Sequence, residues 1–361
     1  MMTIRIPTRS EIPTKGSDWL ADWLTPFEPI QLLSGRHVQT LVGNFWLRPA
    51  LAIPVEVEAV EVDAPDGSRV LCYGHWQPEA VRSTRLTILL VHGLESSSDS
   101  PAILGLTAKA WNAGCNVVRM NMRNCGGTDA WTPTLCHAGL SADVGAVLGH
   151  FVQKFGLERV AMAGYSMGGN LVLKLAGELA NQSPAWLRAA AAVSPPADLA
   201  PSVAAAHEPT NRLYEWYFLS NLIRRFRRKA SLFPDTYSTQ GINSIRSIRD
   251  FDEYTAPYSG FEGADDYYFR ASSGKVVSRI GIPTLVLHAL DDPFIRMTAE
   301  TRETLLLNSS IEYVESPCGG HCGFLAASPG EPDTYEYRDL HWAESTLIRF
   351  LMVTAGHTEG G

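Results

Sequence analysis

Gly164-Tyr165-Ser166-Met167-Gly168 is the stretch of this chain that decides its fold. A short apolar run, residues 159–163, leads into it, and a run with helical spacing, residues 170–176, follows it. A Gly-x-Ser-x-Gly pentapeptide between a strand and a helix predicts a nucleophile elbow, a sharp turn that presents the serine above the edge of a sheet. A side chain two residues before or after the serine would clash in so tight a turn, which explains the two glycines.

Predicted strands and helices alternate on both sides of this pentapeptide. Residues 55–76 have the alternation of a β-hairpin around the turn Ala64-Pro65-Asp66-Gly67. Apolar runs typical of buried parallel strands then alternate with helical patterns, the strands at residues 86–91, 115–120, 159–163 and 188–193 and the helices at 102–113 and 139–154. This alternation predicts a mostly parallel central sheet with helices on both faces.

The alternation stops at Ser194-Pro195-Pro196 and resumes only at residue 283. An interruption of roughly 85 residues is too long for a loop and predicts an inserted helical cap. We therefore expect an extended N-terminal arm packing on the core, a first part of the core, the cap and a second part of the core, at residues 1–50, 51–196, 197–280 and 281–361.

The central helix of the predicted cap has an apolar stripe formed by Leu213, Trp216, Leu219, Ile223 and Phe226. Such a stripe favours packing against the rest of the cap, and the alternative is the lining of an apolar substrate channel.

Composition and charge exclude several classes of function. The 361 residues are 45% apolar and 19% charged, as in proteins with a sizeable core. A net charge of −8 argues against nucleic acid as a partner. No run has the roughly 18 uninterrupted apolar residues of a membrane span, and the N-terminus lacks the apolar segment of a signal peptide. Six cysteines in so long a chain form no disulfide framework, and we expect a cytoplasmic protein.

An activated serine needs a base, and the base needs a carboxylate that orients it. His321 follows the predicted strand 311–315 in a glycine-rich loop, and Asp291-Asp292 follow the strand 284–288. Because open parallel sheets form their sites at the carboxyl ends of strands, these loops are expected to meet Ser166. Counting three residues from the small residue that ends the strand favours Asp292 as the acid, with Asp291 as the alternative.

Two backbone N–H groups are expected to form an oxyanion hole. One belongs to Met167, directly after the serine, and the other to Leu94 in the loop His92-Gly93-Leu94-Glu95-Ser96. Each such donor is worth roughly 3–4 kcal/mol of activation free energy. His92 and His288 lie at strand ends nearer the core, and we expect them to have structural roles.

The chain resembles the YheT-like branch of the α/β hydrolases over about residues 26–353. The motifs that carry the resemblance are His37-Val38-Gln39-Thr40, His92-Gly93-Leu94-Glu95, Met122-Arg123-Asn124-Cys125-Gly126-Gly127, Gly164-Tyr165-Ser166-Met167-Gly168-Gly169-Asn170, His288-Ala289-Leu290-Asp291-Asp292-Pro293-Phe294 and Gly319-Gly320-His321. The resemblance implies an α/β-hydrolase fold, a Ser166–His321–Asp292 triad and hydrolysis of carboxylic esters, often acyl lipids of short or medium chain. Ser96 and Asn124 stand where the family usually has glycine.

Two further patterns bear on partners. Cysteine and histidine residues lack the paired spacing of a zinc site, so we expect neither a metal nor a cofactor. The basic run 224–229 is most often the solvated face of a helix, but it borders the apolar stripe of the cap. We therefore consider peripheral contact with a membrane surface through Arg224, Arg225, Arg227 and Arg228.

Together these patterns predict a serine esterase acting on short- to medium-chain acyl esters or lipids. Ser166 is the expected nucleophile, His321 the base and Asp292 the carboxylate that orients it. One alternative is an acyltransferase that passes the acyl group to an alcohol, which would use the same residues. An alternative of another class is a hydrolase-fold binding protein without activity.

Overall fold

The computed structural model describes residues 24–45, 57–327 and 340–355. Of the predicted arm, residues 1–23 and 46–50 lie outside the described residues, as do the first two residues of the predicted hairpin. The same holds for residues 328–339 and 356–361 in the second part of the core.

Eight strands form one sheet, and they are β1 (Glu58–Asp63), β2 (Arg69–His75), β3 (Thr87–Val91), β4 (Asn116–Met120), β5 (Val160–Tyr165), β6 (Leu187–Val193), β7 (Thr284–Ala289) and β8 (Ile311–Ser316). Their order across the sheet is β1-β2-β4-β3-β5-β6-β7-β8. β2 pairs with β1 and β4 in antiparallel fashion, and all other neighbours are parallel. The predicted mostly parallel sheet and the predicted hairpin are both confirmed.

The α-helices of the described residues are α1 (Arg36–Phe45), α2 (Glu79–Arg82), α3 (Pro101–Asn112), α4 (Ser141–Phe155), α5 (Met167–Leu179), α6 (Leu199–Ala206), α7 (Arg212–Leu232), α8 (Ile248–Thr255), α9 (Ala264–Ala271), α10 (Ala299–Leu307) and α11 (Trp342–Thr354). Single 3-10 turns lie at Gln31–Leu33, Ala180–Gln182, Pro209–Asn211, Ile242–Ser244, Ala256–Ser259, Ser273–Lys275 and Val277–Arg279.

The sheet is covered on both faces because most side chains on both faces of its central strands are apolar. In β3, Leu89 and Val91 pack into one core with α4 and α5, whereas Ile88 and Leu90 pack into the other core with α3 and α11. Every residue of β3 is buried, as expected for a strand inside a parallel sheet.

Helices α6 to α9 occupy the interval between β6 and β7 where the cap is predicted. Phe226 of α7 is buried in a small core of this region, together with Tyr237 and Phe251. The apolar stripe predicted for α7 is nevertheless only partly buried, since 82% of Leu213 and 68% of Trp216 is exposed. Core packing is therefore the wrong interpretation for the first turns of this helix.

The described part of the arm is also different from the expected extended segment, because residues 36–45 form α1. Its buried side chains are the polar Gln39 and Thr40, whereas Val38 and Leu41 are exposed. Because the buried side of α1 is polar, the usual pattern of buried apolar residues does not reveal this helix in the sequence.

A buried arginine joins three segments near the hairpin. Arg123 forms a bidentate ion pair with Asp143 at the start of α4, with both N···O distances 2.6 Å. Its Nη1 also lies 2.6 Å from Asp66 Oδ2 in the β1–β2 turn and donates to Ser68 Oγ at 3.1 Å. A planar guanidinium suits such a fork of carboxylates, so Arg123 fixes the hairpin against the helix.

We predict that Arg123→Met lowers the free energy of unfolding by roughly 3–5 kcal/mol, because it leaves the Asp143 carboxylate buried without its partner. Urea denaturation measures this loss. The matched control is Arg69→Met, which removes an exposed pair with Glu61 of the same 2.6 Å length and should cost about 0–1 kcal/mol. Equal losses in the two variants would contradict the role given to Arg123.

Candidate active site

The turn between β5 and α5 is the predicted nucleophile elbow. Ser166 has φ +50° and ψ −121°, a left-handed backbone conformation that is unfavourable for a residue with a side chain. A Cβ atom on Gly164 would lie 2.3 Å from the backbone of Gly168, and one on Gly168 would lie 2.3 Å from the Val91 carbonyl oxygen. Both glycines are therefore required by close backbone approach, as the sequence pattern predicts.

The structure brings Ser166, His321 and Asp292 together in a hydrogen-bonded row. His321 Nε2 lies 3.0 Å from Ser166 Oγ, and its Nδ1 lies 2.8 Å from Asp292 Oδ2. These residues are 155 and 29 positions apart along the chain. They meet because β5, β7 and β8 are parallel and end at the same edge of the sheet.

Of the two candidate acids, Asp292 is the one that contacts the imidazole. Its Oδ1 accepts hydrogen bonds from the N–H groups of Phe294 and Ile295 at 3.1 and 2.9 Å, which leaves Oδ2 for His321. Asp291 instead accepts the N–H of Gly320 at 2.9 Å, so it supports the loop that carries the histidine.

The electrostatics of the pair follow from these contacts. Burial by itself lowers the pKa of His321, but interactions with Cys322 and with the Asp292 carboxylate outweigh burial and raise the pKa to about 10. Burial raises the pKa of Asp292, yet the neighbouring His321 lowers it below its usual range. The arrangement therefore stabilises a charged imidazole beside a carboxylate, as a base that accepts a proton from serine requires.

The predicted oxyanion donors flank the serine. Met167 is the first residue of α5, and N–H groups in the first turn of a helix have no intrahelical acceptor. Leu94 lies in the loop after β3, where a Cβ atom on the neighbouring Gly93 would be 3.3 Å from Ser166 Cβ. His92 holds this loop, because its Nδ1 lies 2.8 Å from Gly93 O and its Nε2 accepts the Met122 N–H at 3.1 Å.

Two residues of the arm position the histidine, a role that sequence reasoning missed. Thr40 Oγ1 donates to the Arg36 carbonyl at 2.7 Å and accepts the backbone N–H of His321 at 2.8 Å. The Gln39 amide makes two hydrogen bonds with the backbone of Leu325, at 2.8 and 3.3 Å. Both residues belong to the motif His37-Val38-Gln39-Thr40 and are buried in the structure.

A cavity of about 930 Å³ opens at Ser166 and extends below the helices of the cap. Its wall is mainly apolar, and its members from the cap include Leu222, Phe226, Phe251 and Phe261. Ser96, one of the two departures from the family pattern, also lines it. The other, Asn124, has φ +63°, a conformation that asparagine tolerates better than most residues.

The basic run of α7 divides between the cavity and the surface. Arg225 is directed inward, where its Nη1 lies 3.4 Å from Glu95 Oε1 and 3.2 Å from Cys125 Sγ in the cavity wall. Lys229 is buried and donates to Asn124 Oδ1 at 2.6 Å. Burial lowers the pKa of Lys229 to about 8. The exposed members of the run are Arg224, Arg227 and Arg228.

Within the described ranges, no three histidine, cysteine or acidic side chains are grouped so that they could bind a metal. The six cysteines are free thiols. None of the helices in the described part of the chain is both long and apolar enough to cross a membrane.

Comparison with known proteins agrees with this geometry. A family model described as "alpha/beta hydrolase fold" matches residues 87–327. The chain is 31% identical over 329 residues to the Escherichia coli (strain K12) protein named "Putative esterase YheT", covering 90% of this chain and 92% of that protein. It is 33% identical over 246 residues to phospholipase ABHD3 of Mus musculus, covering 67% of this chain but only 59% of the phospholipase.

Among solved structures, the Pyrococcus furiosus esterase Pf2001 superimposes with a TM-score of 0.55 at 16% identity, covering 92% of this chain and 99% of the esterase. Such low identity supports the fold alone. The family model and the similarity to YheT over most of both chains show that this chain belongs to the α/β-hydrolase family, in its YheT-like branch.

Proposed function

We propose that this protein is a serine esterase that hydrolyses carboxylic esters with short- to medium-chain acyl groups, lipid esters among them. The observation that carries the proposal is the row of Ser166, His321 and Asp292 at the opening of a large apolar cavity. Relatives named as an esterase and a phospholipase support the same reaction class.

In this mechanism the 3.0 Å contact between Ser166 Oγ and His321 Nε2 is the path of the first proton. Ser166 attacks the ester carbonyl, and His321 accepts the hydroxyl proton and then donates it to the leaving alcohol. Asp292 fixes the tautomer by accepting from Nδ1 and stabilises the imidazolium that forms. The N–H groups of Leu94 and Met167 receive the negative charge on the oxygen. Water, deprotonated by His321, then cleaves the acyl-enzyme.

The size and polarity of the cavity support an acyl chain longer than acetyl. A volume of about 930 Å³ is near the upper end of the roughly 300–1,000 Å³ that pockets for small molecules span. Apolar walls make each additional methylene group favourable by about 0.8 kcal/mol until the chain fills the cavity. Polar contacts at Arg225 and Glu95 interrupt this wall near the oxyanion loop.

We predict that the protein hydrolyses p-nitrophenyl octanoate and decanoate faster than the acetate, and that Ser166→Ala reduces the rate about a million-fold, to background. Spectrophotometric rates over the series from acetate to palmitate check both statements. Lack of activity on every ester, together with lack of labelling by a fluorophosphonate, would instead favour the binding-protein alternative. Ethyl ester formation when ethanol is added would reveal acyl transfer.

We predict that kcat/KM falls as the pH decreases, with the acidic limb above the ordinary histidine pKa of 6.5. The reason is that His321 accepts a proton only when it is neutral, and its pKa is raised. Asp292→Asn should lower kcat by about 10⁴-fold and move this limb to lower pH. A pH–rate profile of both proteins gives the measurement, and an acidic limb that stays at the same pH in the Asp292→Asn variant would argue against the contact with Asp292.

We predict that Thr40→Val lowers kcat by roughly 10- to 100-fold with little change in KM, because the His321 backbone loses its acceptor and the imidazole shifts. Thr107→Val is the matched control, since Thr107 is also buried and donates to the carbonyl four residues earlier, at 2.6 Å. Thr40→Ser should restore kcat. If both valine variants lose activity in proportion to their thermal stability, Thr40 has only a structural role.

A further inference from the structure

The opening of the cavity is surrounded by exposed apolar side chains from two helices. On α7 these are Leu213, Trp216 and Tyr217, with 82, 68 and 50% of their surface exposed. On α1 they are Val38 and Leu41, with 39 and 47% exposed. We call these five residues the rim. All of them except Val38 also line the cavity itself.

The two helices form one continuous surface at this opening. His37 of α1 stacks on Tyr214 of α7 with their ring centroids 5.7 Å apart, and His37 Nδ1 lies 3.2 Å from the Tyr214 hydroxyl. Leu41, Leu213 and Trp216 also line the same cavity, so the exposed residues of the two helices meet at one opening. Clustered apolar residues of this size on a surface usually mark a binding face.

The polarity of α1 indicates that the exposure is functional. Its polar Gln39 and Thr40 are buried because they hold the His321 loop, so its apolar residues are left on the outer side. A helix that served only stability would show the reverse arrangement. The rim is therefore an apolar surface that an apolar environment outside the protein can cover.

The same outer side of α7 changes from apolar to basic along its length. At 3.6 residues per turn, one arc of about 120° around the helix axis contains both groups, the apolar Leu213, Trp216 and Tyr217 and the basic Arg224, Arg227 and Arg228. The acidic residue of this helix, Glu215, is instead buried against His207, 2.8 Å away. Within the described ranges, Arg224 and Arg227 donate only to the amide oxygens of Asn221 and Asn243 and form no ion pair. Arg228 is different, because its Nε lies 3.5 Å from Asp129 Oδ2.

This charge is opposite to that of the molecule as a whole, which is −8. An apolar cluster with tryptophan and tyrosine beside free guanidinium groups is the composition of surfaces that bind at the boundary between lipid headgroups and acyl chains. Arginine pairs well with phosphate, and a protein partner would give no reason for the cluster to surround the opening of the cavity.

We propose that the rim, with Arg224 and Arg227, docks the protein on an anionic lipid surface, so that the cavity opens directly onto the acyl chains. Arg225, which contacts Glu95 and Cys125 in the cavity wall, is not part of this docking face. The docking is a binding event that does not depend on the proposed ester hydrolysis, and it can be measured without it.

The test is co-sedimentation of the wild-type protein with vesicles of ether-linked phosphatidylglycerol and phosphatidylcholine in equal amounts, lipids that contain no carboxylic ester to cleave. We expect binding to these vesicles and weaker binding to vesicles of ether-linked phosphatidylcholine alone. Leu213→Ser with Trp216→Ser should lower the partition coefficient about tenfold or more. Arg224→Glu with Arg227→Glu should lower it by at least about tenfold, an effect that salt reduces.

Matched controls change exposed residues of the same kinds elsewhere. Phe269→Ser with Leu307→Ser removes two apolar side chains that are each 63% exposed. Arg188→Glu with Arg279→Glu reverses two exposed charges, Arg188 near the amino end of β6 and Arg279 shortly before β7 begins, both away from the carboxyl ends where the cavity lies. Both controls should bind vesicles as the wild type does.

Failure of the wild type to bind anionic vesicles would overturn the proposal. Vesicle binding that falls equally in the controls and in the Leu213/Trp216 and Arg224/Arg227 variants would also overturn it. Concentration-dependent self-association without vesicle binding, abolished by the Leu213 and Trp216 changes, would assign the rim to contact between copies of this chain. Loss of ester hydrolysis on its own would bear on the proposed function and leave the docking result unaffected.

Discussion

The close backbone approach at Ser166 is the constraint on which the rest of the site depends. The serine adopts φ +50° only because Gly164 and Gly168 allow the helix and the neighbouring strand to come so near. Its own N–H is held by the Val193 carbonyl of β6 at 2.8 Å, and its carbonyl oxygen accepts from Asn170 in α5. The unfavourable conformation is thus maintained by a sheet whose central strands are completely buried, and it directs Oγ away from that sheet.

The histidine loop depends on a different kind of support. Gly320 has φ +57° and Cys322 has φ +59°, so the loop has little regular structure of its own. Thr40 and Gln39 accept hydrogen bonds from the backbone N–H groups of His321 and Leu325, and these bonds order the loop. This explains why an arm far away in the sequence carries a motif of buried polar residues, since an unpaired polar group there would be costly.

Much of the fold was predictable because its signals are local. The elbow, the parallel strands and the hairpin are each encoded within a few neighbouring residues, and counting along one loop favoured Asp292 over Asp291. The positioning role of Thr40 was not predictable, because its partner is 281 positions away. The first turns of α7 were misassigned because apolar spacing indicates which residues share a face and says nothing about what covers that face. Leu213 and Phe226 mark the two edges of the predicted stripe, about 140° apart around the helix axis, and one is exposed while the other is buried.

Helix α1 of the arm and helix α7 of the cap each contribute both to the site and to the outer surface beside it. Helix α1 uses one side to hold His321 and the other to expose Val38 and Leu41 beside the opening. Helix α7 buries Phe226 in the cavity wall and exposes Trp216 at the opening of the same cavity. Helices α1 and α7 therefore link the site to the outer surface. A partner that covers the rim would touch the same two helices that contact the His321 loop and line the cavity. Each of the two helices therefore combines a buried part that shapes the site with an exposed part at the rim, so the composition of each helix has to satisfy both.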